Sequence, residues 1–152
     1  VMKGYWNLPQ ETAETLRGGW MHTGDAGTMD DEGYVYIQDR VKDMILSGGE
    51  NVYPRVVENV LFKHPAVADA AVIGVPDEQW GETVKAVVVL RDGQSATGEE
   101  IIEFCRGHLG GFELPRSVDT IPALPRNASG KVLKRELREP YWEGQGRRVA
   151  GS

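Results

Sequence analysis

The stretch that most constrains this chain is Asp39–Pro54, DRVKDMILSGGENVYP, because the hydrophobic pattern changes across it. It gathers two bases (Arg40, Lys42), two acids (Asp39, Asp43), a short apolar patch (Met44–Leu46) and a glycine pair (Gly48–Gly49), with a helix start at Pro54. Two glycines permit backbone conformations closed to other residues and let a ligand approach the main chain closely. Fixed charges beside such a turn mark a place where the chain bends and meets an anion.

Upstream, residues 1–38 hold little. Pro9–Leu16 reads as a short helix, with Pro in its first turn and Gly18–Gly19 closing it. Trp20–Thr23 and Tyr34–Gln38 read as strands around a hairpin-type turn at Asp30–Gly33. Two strands and a short helix cannot bury a core unaided, so this section is expected to lean on something else. Downstream, a helix begins at Pro54 with Val56, Val57, Val60 and Leu61 inward and ends before Pro65. Buried strands are expected at Ala70–Val75 and Val84–Leu90, an amphipathic helix at Glu99–Leu109, and an edge strand at Val118–Ile121, since Pro122 would interrupt a central one. A last helix begins in Val132–Leu137. The succession predicts an α+β class: a small domain with helices packed over a sheet, preceded by a β-hairpin remnant of a larger one.

The chain has 152 residues, enough for one ordinary domain or a small domain with part of another. Apolar residues make up 40% and charged ones 26%, the balance of globular material, and no run approaches the roughly 20 apolar residues of a membrane span. Cys105 is the single cysteine, which excludes an internal disulfide and fits a reducing, cytoplasmic compartment. Val1 precedes Met2, and Met2–Trp6 reads like the middle of a domain, so a piece of a longer protein is expected. The net charge of −6 and the lack of an aromatic-basic platform argue against nucleic acid. Bases nevertheless concentrate between Arg116 and Arg138, where a nucleotide or phosphate is a conceivable partner and a solvated helix face an equal one.

Two clusters hold candidate chemistry. Asp25, in Thr23-Gly24-Asp25, offers a carboxylate that can take two hydroxyl donors of a sugar diol, although an Asp capping a turn is commoner. Arg40 is a second ribose or phosphate contact, or an ordinary partner of Asp39 or Asp43. In Pro125–Lys131, PRNASGK, a Ser-Gly turn delivers Lys131 to the mouth of a helix, where a mobile point charge meets a phosphate or carboxylate. The glycine spacing is not that of a P-loop. Taken alone, an exposed loop lysine is the plainer reading.

The segments HTGD, DRVKDMILSGGENVYP and PRNASGKVLKREL, in this order and spacing, closely resemble the adenylate-forming superfamily of acyl-CoA synthetases, peptide-synthetase adenylation domains and beetle luciferases. The similarity is nearest to fatty-acyl-CoA ligases and also takes in MKGYWN, GYVYI, VPDEQWGE and KAVVVL, running from Met2 to Arg138. The resemblance implies that residues 1–38 end a large N-terminal adenylating domain, 39–42 (with Asp39 and Lys42) form a hinge, 43–140 are the small C-terminal domain and 141–152 a disordered tail. It assigns Asp25 and Arg40 to the nucleotide and makes Lys131 the catalytic lysine of adenylation. Gly48, Gly49 and Glu50 fall on a loop that meets pantetheine, with Trp80 and Phe112 near the thiol tunnel and Arg116 near the CoA nucleotide. For Trp80 and Phe112 a place in the core is the stronger alternative. Implied cosubstrates are ATP with Mg²⁺, held mainly by the large domain, and CoA; no residue here is assigned to a metal. Two departures stand out: Glu113 where many relatives carry lysine, and Val56 in place of a frequent glutamate.

The expected activity is that of an ATP-dependent acyl-CoA ligase, an acid-thiol ligase of long- or medium-chain type, inactive as this chain alone. A ligase loading a carrier protein, and a stand-alone nucleotide- or protein-binding module, are the alternatives.

Overall fold

The computed structural model describes residues 1–144, which fall into two units, Val1–Val41 and Lys42 onward. In the first, helix α1 (Pro9–Thr15) carries Pro9 and Glu11 in its first turn. A 3₁₀ turn over Arg17–Gly19 follows. Strands β1 (Asp25–Met29) and β2 (Val35–Arg40) pair antiparallel from Asp25↔Arg40 to Met29↔Val35, with a bulge at Ala26/Gly27. Asp30 closes the hairpin: its Oδ1 accepts the N–H groups of Glu32 (3.0 Å) and Tyr34 (2.9 Å), and its Oδ2 the Tyr36 hydroxyl (2.9 Å). The Tyr34 amide and then the Tyr36 hydroxyl hold the Asp30 carboxyl below its ordinary range. No residue of this unit is buried; Trp6 stands almost fully exposed and Trp20 largely so.

Trp20–Thr23, expected as the first strand, has no ladder. Gly24 turns the chain in the left-handed region (φ +74) and pairing begins only at Asp25. The strand that forms, DAGTM, opens with three poor strand formers and is set by its register on β2. Asp25 therefore opens a strand rather than following one.

The second unit starts with a 3₁₀ turn at Val41–Asp43 and a tight hairpin of β3 (Ile45–Ser47) and β4 (Glu50–Val52). Gly48 (φ +60) and Gly49 (φ +90) are its two turn residues, the pair of positive values that a type I′ connection demands. Helix α2 (Pro54–Leu61) buries Pro54, Val57, Val60 and Leu61. Strands β5 (Val67–Asp77) and β6 (Gly81–Leu90) then form a long antiparallel pair. Helix α3 (Gly98–Arg106) begins at a capping box in which Thr97 Oγ1 accepts the Glu100 N–H and the Glu100 carboxylate accepts the Thr97 N–H. Strand β7 (Ser117–Thr120) lies parallel to β6, and helix α4 (Lys134–Trp142) ends the described chain. The sheet order is β4-β3-β6-β5, with β7 on β6.

Strand alternation divides the apolar residues into two cores. Ala70 and Val72 of β5 with Val84, Ala86 and Val88 of β6 pack with Ile45, Val52, Val57, Leu61, Ile101 and Cys105. Ala71, Ile73 and Val75, with Val87, meet Leu124 and the half-buried Val132, Leu137 and Tyr141 on the other face. Covering both faces explains the unbroken apolar run of β5, and each large side chain fully buried contributes ~1.5–3 kcal/mol.

Polar contacts lock α4 down. Lys85 Nζ, on a buried residue of β6, donates to Asp119 Oδ1 (2.8 Å) and Ser117 Oγ (3.1 Å), while the Tyr141 hydroxyl donates to Asp119 Oδ2 (2.5 Å). Trp142 Nε1 donates to the Gly74 carbonyl (3.0 Å), and Lys134 and Arg138 pair with Glu58 (2.7 Å) and Asp43 (3.4 Å). Since α4 runs to Trp142, the expected tail at 141–152 begins inside a helix; residues 145–152 lie outside the described part.

Candidate functional site

The expected site residues fall in three places. The first is the open end of the β1–β2 ladder, where register places Asp25 opposite Arg40. Arg40 Nε meets Asp25 Oδ1 at 2.8 Å, and a second guanidinium nitrogen donates to the Thr23 carbonyl at 3.1 Å. Arg40 is thus the partner of Asp25, not of Asp43 as one sequence alternative had it; Asp39 Oδ1 accepts the Arg40 backbone N–H (2.7 Å). The pair is partly exposed, so its contribution to stability is small. Chemically it is a fixed carboxylate with lone pairs left for hydroxyl donors and a cation alongside.

The second place is the β3–β4 turn. The Gly48 N–H donates to the Trp80 carbonyl (2.9 Å), and the Trp80 indole lies so close that a Cβ on Gly48 would stand 2.5 Å from Cε3. Trp80 is held by Asp77, whose Oδ1 accepts the Gln79 and Trp80 N–H groups at 2.9 Å each. Across the ring sits the Arg116 guanidinium, 5.9 Å from the centroid, a cation–π arrangement. Trp80 remains 40% exposed, so it is a surface platform and not a core residue. Glu50, first residue of β4, is exposed beside the turn. Phe112 is exposed in the turn after α3 and makes no ring contact among the described residues. Next to it the departure Glu113 has a use: its carboxylate accepts the Gly110 N–H at 2.9 Å and closes that turn.

The third is the segment around Lys131. Asn127 and Lys131 close a small hairpin: the Asn127 N–H donates to the Lys131 carbonyl (2.9 Å), and Asn127 Oδ1 accepts the Lys131 N–H (2.8 Å). Gly130 sits at φ +81, and Arg126 bridges to Val132 across the hairpin. Lys131 is exposed, and among the described residues its ammonium has no ion-pair partner. Arg126 and Asp69 meet here at 2.5 Å, a contact across 57 positions that no local pattern signals.

Among the described residues no group of three or more His, Cys, Asp or Glu side chains could hold a metal ion, and no helix is long and apolar enough to cross a membrane. The Cys105 thiol is buried, and that burial pushes its pKa up to about 11. His64 and His108 are occupied by the Ala66 N–H and the Phe104 carbonyl.

A sheet covered by its own helices on both faces, with its candidate residues in the connections, has the architecture of the C-terminal domains of adenylate-forming enzymes. The family model described as "AMP-binding enzyme C-terminal domain" matches residues 56–131, and the chain belongs to that family. Over 97% of this chain it is 53% identical to the fatty acid–[acyl-carrier-protein] ligase ScoC of Streptomyces coeruleorubidus, covering 28% of that protein. It is 49% identical over 93% of its length to the long-chain-fatty-acid–CoA ligase FadD13 of Mycobacterium tuberculosis, again covering 28%. Among solved structures, o-succinylbenzoate CoA synthetase (MenE) of Bacillus subtilis, in complex with its acyl-adenylate intermediate, superposes with a TM-score of 0.86 at 39% identity, over 98% of this chain and 29% of that one. The chain thus spans under a third of the relatives it matches.

Proposed function

We propose that the chain is the C-terminal part of an ATP-dependent acyl-CoA ligase, of the type acting on long- or medium-chain fatty acids, and that it is inactive by itself. In the first half-reaction a carboxylate oxygen attacks the α-phosphorus of ATP and pyrophosphate leaves. In the second the CoA sulfur attacks the acyl carbonyl and AMP leaves. The observation that carries this reading is Lys131: an exposed cation, without an ion-pair partner among the described residues, at the end of a hydrogen-bonded hairpin. Such a group can neutralise the negative charge gathering between carboxylate and α-phosphate. Asp25, steadied by Arg40, would hold the ribose hydroxyls. The glycine turn with Trp80 and Arg116 would receive the pantetheine arm and an anionic end of CoA, with Glu50 and Phe112 at its margins. Mg²⁺ would arrive with ATP and be held mainly by the large domain.

Using one lysine for the first step and the glycine turn for the second requires the two units to reorient, with Asp39–Lys42 as the hinge. The division of the chain between Val41 and Lys42 supports that position. The lone buried thiol suits the cytoplasm.

The test is Lys131→Ala in the full-length ligase. Adenylate formation should be lost, while supplied acyl-adenylate and CoA still give thioester; equal loss of both halves sinks the assignment. The relation to ScoC favours a second reading, in which the acceptor is the phosphopantetheine of a carrier protein. Rates with CoA and with a loaded carrier, measured side by side, decide it. Micromolar binding of ATP to the isolated chain would instead favour an independent nucleotide-binding module.

A further inference from the structure

Lys131 is exposed, and so are Asn127, Ser129 and Gly130 around it. A Cβ placed on Gly130 would meet nothing within 4 Å, so no side-chain packing at that point fixes the tip. Its geometry rests on hydrogen bonds, most of which are internal: Asn127 Oδ1 accepts from Ser129 N–H, Ser129 Oγ and Lys131 N–H. Internal bonds shape a hairpin but do not aim it. Arg126 stands at the base of the hairpin, opposite the half-buried Val132, and its side chain links the tip to the sheet. One terminal nitrogen donates to the Gly130 carbonyl at 2.6 Å, directly before Lys131, and the other to Asp69 Oδ2 at 2.5 Å. Asp69 belongs to β5, at the register shift where that strand pairs with β6.

We infer that Arg126, held by Asp69, is a positioning residue that aims the lysine hairpin from the sheet. The inference rests on the role given to Lys131 above. A guanidinium suits the task because its planar fork serves two acceptors at once, which an ammonium on a flexible stem does less well. The pair is partly exposed, so it adds little to stability, and its removal should leave the fold intact. What it should disturb is aim, and a misplacement of about 1 Å in a catalytic group can lower a rate about a hundredfold.

The experiment uses the full-length ligase with whichever acid, from a panel of fatty and aryl acids, exchanges fastest. Adenylation is read by ATP–pyrophosphate exchange, the second half-reaction by thioester formation from supplied acyl-adenylate and CoA, and folding by Tm. Arg126→Ala should lower exchange about tenfold to a hundredfold, with thioester formation and Tm unchanged. Asp69→Ala should fall in the same direction, and the double variant no further than Arg126→Ala, as for residues acting as one unit. Arg126→Lys should recover part of the loss and serves as the reading if the alanine variant does not fold. Unchanged exchange, or both half-reactions falling together, overturns the inference. Lys131→Ala is run alongside. If it abolishes exchange while Arg126→Ala leaves exchange unchanged, only the positioning role fails; if it leaves exchange intact, both assignments fail.

Discussion

Gly48 and Trp80 are in contact twice over: the glycine N–H donates to the Trp80 carbonyl, and the indole occupies the space where any other residue would place its Cβ. Positive φ and the missing side chain are both needed at one position. Gly48→Ala should therefore destabilise the chain by about 1–3 kcal/mol, from left-handed strain and displacement of the ring. Thermal melts of a double-mutant cycle test this. The Gly48→Ala penalty should shrink in a Trp80→Ala background, and an undiminished penalty would mean the indole is not the obstacle.

Lys42 lies in the 3₁₀ turn Val41–Asp43, the first residue of the second unit. In the full-length ligase, Lys42→Pro should slow thioester formation while leaving adenylation near its parent rate, since proline fixes φ. Single-turnover measurement of the two half-reactions gives the ratio; an unchanged ratio argues against a hinge there.

Tyr141 and Asp119 make stability depend on pH at both ends. Desolvation raises the Asp119 pKa, but the hydrogen bonds from Lys85 and Tyr141 and the Lys85 charge outweigh it and leave the carboxyl below its ordinary value. Its contribution is therefore complete above the ordinary carboxylate range and disappears as pH falls through the depressed value. Tyr141 is pushed up to about 12, by desolvation first and then by its bond to Asp119. That contribution is complete below the ordinary value of 10.0 and vanishes as pH rises through about 12. Tyr141→Phe should lower neutral-pH stability by about 1.5–3 kcal/mol and flatten the alkaline decline. Chemical denaturation at a series of pH values checks both; an alkaline limb identical to the parent's would refute the assignment.

Cys105, on the buried side of α3 with its pKa pushed up to about 11, should not react with a thiol reagent at pH ~8 until the chain is unfolded. Thiol titration with and without guanidinium tests it, and rapid modification of the native chain would show that α3 opens readily.

Much of the second unit was legible before its structure. The apolar runs of β5 and β6 and the helical spacing of α2 and α3 each mark one type of element, and their boundaries move by a few residues only. The β3–β4 hairpin was not: at three residues each, its strands are too short to show a period, and Gly48–Gly49 read as a bend when it is a hairpin turn. In the first unit Trp20 and Met21 suggested a strand by composition, whereas pairing with β2 selects the weaker sequence Asp25–Met29. Of the site, the motif residues could be named individually. The contacts that organise them could not, because Asp25 with Arg40, Gly48 with Trp80 and Asp69 with Arg126 are each far apart along the chain.

The two cores on either face of β5 and β6 are closed by helices and loops of the same unit. A unit with its cores closed in this way should fold by itself, and a chain that starts at Lys42 should melt cooperatively.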